Sequence, residues 1–168
     1  MKTLVTRTYL EMRNPDQLHR VPLSGTGVTL ERVLGCPISF HRFLYREVGR
    51  SYHWHDRLGW TDEQVRAYLD DPRISLHVLY CTGAPAGYFE LRREDDGAVE
   101  IAYFGLLQEY IGRGLGKMLL SEAVEAGWNQ GASRVWLHTC TLDDPAAMPN
   151  YLKRGFVPVR EEQYEQEL

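Results

Sequence analysis

A chain of 168 residues with 43% hydrophobic content can bury one ordinary core but not two, which predicts a single domain across residues 1–168. Lys and Arg number 19 against 23 Asp and Glu, a net charge of −4 with no long basic block, which argues against a nucleic-acid partner because phosphate neutralisation needs clustered cations. The scattered cysteines Cys36, Cys81 and Cys140, the polar N-terminal stretch and the lack of a long apolar run predict a cytoplasmic protein without disulfides, signal peptide or membrane attachment.

In chain order, TLVTRTYLEM and GVTLERVL are both extended in character and are separated by a Pro- and Gly-bearing stretch, which predicts an N-terminal strand and hairpin region over about residues 1–35. After Pro37, the residues Ile38, Phe40, Phe43, Leu44 and Val48 share one helical stripe, with Ser39 as an early cap, giving a helix from Ser39 to Arg50. TDEQVRAYLDDP opens with Thr61 and Gln64 at capping-box spacing and closes before Pro72, a second short helix. ISLHVLYC, AGYFELRRE and AVEIAYFGLL are rich in branched and aromatic residues and are joined by the turn sequences TGAP and EDDG, a three-stranded antiparallel meander. GLGKMLLSEAVEAGWNQG carries Leu115, Met118, Leu119, Ala123 and Trp128 at helical spacing. SRVWLHTC returns to strand, DDPAAMPNYLKRG to a helix interrupted by Pro149 and ended by Gly155, and FVPVREEQYEQ to a last strand.

Gly112, Gly114 and Gly116 alternate through the junction of a predicted strand with a predicted helix. Such a turn aims unpaired backbone N–H groups and the positive end of the helix dipole at one spot, which suits phosphate. The same glycines could serve only to bend the chain, and the motif alone leaves both readings open. Element order narrows the choice. A dinucleotide-binding unit would place G-x-G-x-x-G after its first strand, and a Walker loop needs Lys followed by Ser or Thr, whereas here the turn follows a meander and Lys117 precedes Met118.

Strand, GRGLG, long helix, strand and then YLKRGF is an order that resembles the GCN5-related N-acetyltransferase (GNAT) superfamily. The family's acetyl-CoA turn, Q/R-x-x-G-x-G/A, corresponds to IGRGLG here, with the glycines kept at Gly114 and Gly116 and Ile111 in place of Gln or Arg. The family's Tyr-x-x-x-Gly-Phe signature is met by Tyr151, Gly155 and Phe156. The resemblance spans about residues 74–159 and puts the helices near 39–70 on the acceptor side. It implies an α/β fold whose mixed, mostly antiparallel central sheet is splayed between its fourth and fifth strands and flanked by helices on both faces. It further implies acetyl-CoA as co-substrate, no metal, and a pyrophosphate gripped by Ile111, Gly112, Arg113, Gly114, Leu115, Gly116 and Lys117. The backbone N–H of Leu106 or Leu107 would serve the thioester carbonyl and pantetheine. Asp144 stands where members often carry Asn and would face the pantetheine arm.

Acetyl transfer to an amine requires a neutral nitrogen, stabilisation of an oxyanion and a proton for the departing thiolate. An alkylamine has a pKa near ~10, so a carboxylate must take its proton at neutral pH. Glu100, fourteen residues before Gly114, has the spacing of the family's catalytic glutamate, and Glu90 on the preceding strand is the alternative that strand parity cannot separate from it. Tyr151 would donate to the thiolate, since a phenol of pKa about 10 is protonated at neutral pH.

The segment between the first two helices would line the acceptor pocket, with Tyr52, His53, Trp54, His55 and Trp60 making an aromatic wall able to hold an aromatic amine or embrace a cation. A metal on His53, His55 and Asp56 is disfavoured for want of a further ligand, and a nucleophilic pair of His138 and Cys140 for want of an orienting acid. The expected activity is direct acetyl transfer to a small-molecule amine. A protein N-terminus or lysine as acceptor, a non-catalytic acyl-CoA-binding module, a nucleotide-binding protein and a homodimer all stay open at this point.

Overall fold

The computed structural model describes residues 1–168. Its meander consists of β3 (Ile74–Cys81), β4 (Ala84–Arg93) and β5 (Val99–Leu106), paired antiparallel in succession. Along β4 the alternation of a pleated strand sends Tyr88 and Glu90 to one face and Phe89 and Leu91 to the other, and both faces are buried. One face carries α1 (Ile38–Gly49) and α2 (Asp62–Asp70), with Leu44 and Val48 packed against Leu76, Val78 and Tyr88. The other carries α3 (Leu115–Asn129) and α4 (Ala147–Arg154), with Leu119, Leu120 and Tyr151 in one apolar cluster with Phe89 and Ile101. The remaining strands are β1 (Lys2–Met12), β2 (Val28–Val33), β6 (Val135–Cys140) and β7 (Val157–Glu167).

The seven strands form one sheet in the order β2-β3-β4-β5-β6-β1-β7. All neighbours are antiparallel except β5 and β6. The N-terminal hairpin expected from the sequence does not form. β1 inserts between β6 and β7, with Arg7 opposite Cys140 on one side and Glu162 on the other, while β2 takes the far edge beside β3. The eleven residues of β1 pair with a strand on each side, a gain that pairing with the six-residue β2 alone would not provide.

Two helices differ from expectation, α1 in its cap and α4 in running through Pro149 without interruption. Ser39 lies inside α1, whose N-cap is Pro37 without a side-chain cap. α4 begins ahead of Pro149, which occupies the third helical position, where its missing N–H is one of the groups that has no intrahelical acceptor anyway. The capping box at Thr61 and Gln64 forms in both directions.

Gly155 closes α4 at φ +109°, and a Cβ there would stand 1.9 Å from the Gln17 carbonyl oxygen. Both the left-handed backbone and the close approach require glycine. Gly155→Ala is expected to lower the unfolding free energy by at least ~2 kcal/mol in urea titration; an unchanged midpoint would show that the segment 15–18 yields without cost.

Candidate active site

Parallel pairing of β5 with β6 is confined to Val99↔Val135 and Glu100↔Trp136. Beyond these pairs a cleft of about 1130 Å³ opens, lined from β5 by Glu100 through Leu106 and from β6 by Leu137, His138 and Cys140. The loss of pairing fits the expected splay, which counted along this chain lies between the fifth and sixth strands.

α3 begins at one end of this cleft. Gly114 is its N-cap at φ +78° and offers no side chain to the first helical N–H groups, and Gly112 lies at φ +84°. These two glycines are needed by the backbone. Gly116 is different: it sits in the first helical turn, and a Cβ there would meet only Asn150 and Leu106, both at 3.8 Å. Packing therefore does not demand glycine at 116, and the space it leaves belongs to the cleft. Ile111, Gly112, Gly114, Gly116 and Lys117 line that cleft. Two neighbours expected with them do not: Leu115 turns its side chain into the core, and exposed Arg113 lies over the Tyr110 ring at 5.1 Å.

Glu100 starts the parted segment of β5 on the side that faces α1 and α2. Its side chain is buried, pairs with Arg92, and has His138 Nε2 at 4.0 Å from Oε1. Burial pushes its carboxyl above the ordinary range, and Arg92 offsets only part of that shift. Burial, with help from the Arg7 charge, holds His138 below the usual histidine range, so the imidazole is neutral at neutral pH. The Cys140 thiol is pushed up by burial and by Asp143, which removes the thiolate that a nucleophilic pair with His138 would need.

Tyr151 reaches the cleft from the opposite face. Its ring packs against Phe104 at 6.3 Å and Phe156 at 6.1 Å between centroids, and its hydroxyl makes no hydrogen bond within the protein. Burial raises its pKa, chiefly by desolvation, so the phenol keeps its proton.

The acceptor side is partly as expected. Tyr52, His53, Trp54 and Trp60 line the cleft, while exposed His55 does not, its ring resting against His53 at 5.8 Å. No group of three or more His, Cys, Asp or Glu side chains is placed to hold a metal ion. Tyr52 donates to Asp144 Oδ2 at 2.8 Å, and burial together with that carboxylate pushes its phenol up to about 12. Asp144 Oδ1 accepts the Ala146 N–H at 2.7 Å, so each oxygen has one partner within the protein and keeps room for a further donor.

Two expected roles are corrected. The Leu107 N–H donates to the Ala86 carbonyl at 2.8 Å and is not free for a thioester, which leaves Leu106 as the cleft-lining residue of that pair. Glu90 does not line the cleft. It is completely buried beneath α1 and α2, where His41 Nε2 lies 2.6 Å from Oε1, Arg57 Nη1 donates at 3.1 and 2.8 Å to its two oxygens, and the Tyr68 hydroxyl donates at 2.7 Å. Burial alone would raise its pKa, but the charge of Arg57 and the hydrogen bonds from His41 and Tyr68 outweigh it and lower the value to about 2.

Arg57 is the residue that sequence reasoning passed over. Its guanidinium carbon lies over the rings of Tyr68 and Tyr103, 4.1 Å from each centroid, and over Trp60 at 4.9 Å. Of the aromatic wall expected from the sequence, only Trp60 is among these rings. The signal was an acid in the middle of an apolar strand, since a carboxylate turned inward at Glu90 must find a cation elsewhere in the chain.

Residues 42–156 match the acetyltransferase (GNAT) family. The chain belongs to that family. The fold agrees with solved GNAT structures. A GCN5-related N-acetyltransferase from Kribbella flavida superposes with a TM-score of 0.68 at 22% identity, over 98% of this chain and 58% of its own. One from Sphaerobacter thermophilus gives 0.73 at 19% identity, over 96% of this chain and 52% of its own. The chain thus spans little more than half the length of these two proteins. An aminoglycoside acetyltransferase from an uncultured soil metagenomic sample, solved with sisomicin, gives 0.63 at 14% identity, over 76% of this chain and 88% of its own. No match was found among curated proteins.

The Glu90 cluster is expected to make this GNAT domain sensitive to acid. Because the folded pKa of about 2 lies below the ordinary glutamate value, its contribution is complete above the unfolded value and is lost as pH falls toward 2. The separation from the reference of about 4.3 corresponds to about 3 kcal/mol. Urea midpoints of the wild type should fall between roughly pH 5 and 2, whereas Glu90→Gln should be about 3 kcal/mol less stable at neutral pH and flatter across that window. Parallel pH profiles for the two proteins would remove Glu90 as the acid-sensitive group.

Proposed function

We propose that this GNAT domain moves an acetyl group from acetyl-CoA to the primary amine of a small molecule while both are bound. The observation that carries the reading is the placement of a carboxylate with a raised pKa, Glu100, and an unpartnered phenol, Tyr151, on one cleft that ends at the uncapped start of α3. Acetyl-CoA supplies the acyl group as a thioester and leaves as a thiol. The residues fit its pyrophosphate: the first N–H groups of α3 have no side-chain acceptor, Gly116 leaves room that packing does not require, and Lys117 lines the same end.

Glu100 takes the proton of the incoming ammonium. Its raised pKa narrows the gap to an amine of pKa about 10, and the Arg92 charge opposes that rise by favouring the carboxylate. Tyr151, kept protonated by burial, holds a proton at its phenolic oxygen for the departing sulfur. Glu90 is unsuited to the base role, because all its hydrogen-bonding capacity is committed inside the fold. The Tyr52, His53 and Trp54 wall, tied to Asp144 across the cleft, supports a small acceptor over a protein segment, which would need an open groove.

Calorimetric titration with acetyl-CoA should give saturable binding. Gly116→Asp should weaken it at least tenfold at unchanged stability, because an acid in the first turn suits the helix dipole and repels phosphate. Tyr151→Phe and Glu100→Gln should bind acetyl-CoA and lose roughly 10²–10⁴ in turnover, and in Glu100→Gln the acid-side fall of kcat/KM should move up toward the pKa of the amine itself, which then has to arrive neutral. Acetyl-CoA binding without transfer to any amine would point to a binding module, and no binding at millimolar concentration would remove the reading altogether.

A further inference from the structure

We propose that the acceptor carries a carboxylate beside its primary amine, and that Arg57 receives that carboxylate; the inference rests on the acetyl-transfer reading above. A guanidinium has five N–H donors. In Arg57 the Nη1 group serves both oxygens of Glu90, while Nε and Nη2 find no acceptor in the protein. The side chain is only 8% exposed, yet neither nitrogen is among the sealed polar atoms, and the residue lines the cleft. The unused edge of the fork is therefore open to the cleft that Arg57 lines.

Several constraints make this edge a carboxylate site and not simply a structural cation. Tyr68, Tyr103 and Trp60 hold the guanidinium plane, and Glu90 fixes its rotation, so the outer donors are aimed before any ligand arrives. Nearly dehydrated donors without acceptors are costly, and a planar carboxylate can take the N–H groups of one edge side by side. Glu90 already cancels one positive charge, and Asp56 also lines the cleft, which suits a singly charged anion better than a phosphate dianion.

The position also matches the proposed chemistry. β4 and β5 pair Glu90 with Tyr103 and Arg92 with Glu100, with an irregularity between, so Glu100 and the Tyr103 ring under Arg57 share one face of the sheet. An amine above Glu100 and a carboxylate at Arg57 then belong to one molecule lying along β5. Free amino acids and related amino carboxylates have that pair of groups.

The test uses the full chain with and without saturating CoA. α-, β- and γ-Amino acids are titrated by calorimetry, each beside its carboxamide and, where one exists, the amine lacking the carboxylate. At least one amino carboxylate should bind ten times or more tightly than its carboxamide, and Arg57→Lys, which keeps the charge but not the fork, should reduce that ratio at least tenfold. Circular dichroism of Arg57→Lys reports whether its fold is kept, and if it is not, the matched ligand pairs on the wild type decide alone. Carboxamides or simple amines that bind as well as the acids, or no binding by any amino carboxylate, would overturn the proposal. Failure to bind CoA would instead remove the acetyl-transfer reading, and it is scored separately from the amino-carboxylate titrations on the CoA-free protein.

Discussion

The two residue pairs that join β5 to β6 are the constraint from which the cleft follows. A parallel ladder that stops at Glu100↔Trp136 leaves the backbone groups beyond it without strand partners, and such groups must be met by water or by a bound molecule. The sheet stays whole because each parted strand is held from its other side, β5 by β4 and β6 by β1. The opening is therefore a gap in a rigid frame. Glu100 stands at the last joined pair and Tyr151 comes in from α4, so the proposed base and acid are both tied to elements that have little freedom to move.

The acceptor side is organised by a different interaction. Glu90 and Arg57 tie the α1–α2 segment to the centre of the sheet through an ion pair that excludes most water, supported by His41 and Tyr68. A buried pair of this sort is weak evidence for net stability, because desolvation offsets much of the attraction. Its effect here is positional: it fixes the segment that supplies Tyr52, His53 and Trp54, and it orients a guanidinium whose outer edge faces the cleft.

The glycines illustrate how one residue type serves separate ends. Gly112, Gly114 and Gly155 are set by left-handed backbone, and Gly155 also by contact with the Gln17 carbonyl. Gly116 has neither reason, and what it spares is room at the start of α3. The glycine turn thus sets residues fixed by backbone conformation beside one that is not.

Much of this was legible in the sequence, since local pattern carries the period of an element and the chemistry of its ends. The meander, the capping box at Thr61 and Gln64, the long helix after the glycine turn, and the order of the two family motifs all depend on neighbours a few residues apart. Glu100 and Tyr151 were found through their spacing from those motifs, and the structure brings both to the cleft. What only the tertiary structure decided are the long-range choices: β1 between β6 and β7, the Leu107 N–H given to Ala86, and Glu90 turned toward Arg57. Alternation along a strand shows that successive side chains face opposite ways, but which face is sealed depends on the helices that pack there, and which strand lies alongside depends on backbone groups far away in the chain. The family of this protein is written in its local pattern, while the difference between Glu90, enclosed by Arg57, His41 and Tyr68, and Glu100, open to the cleft, is set by what packs around each.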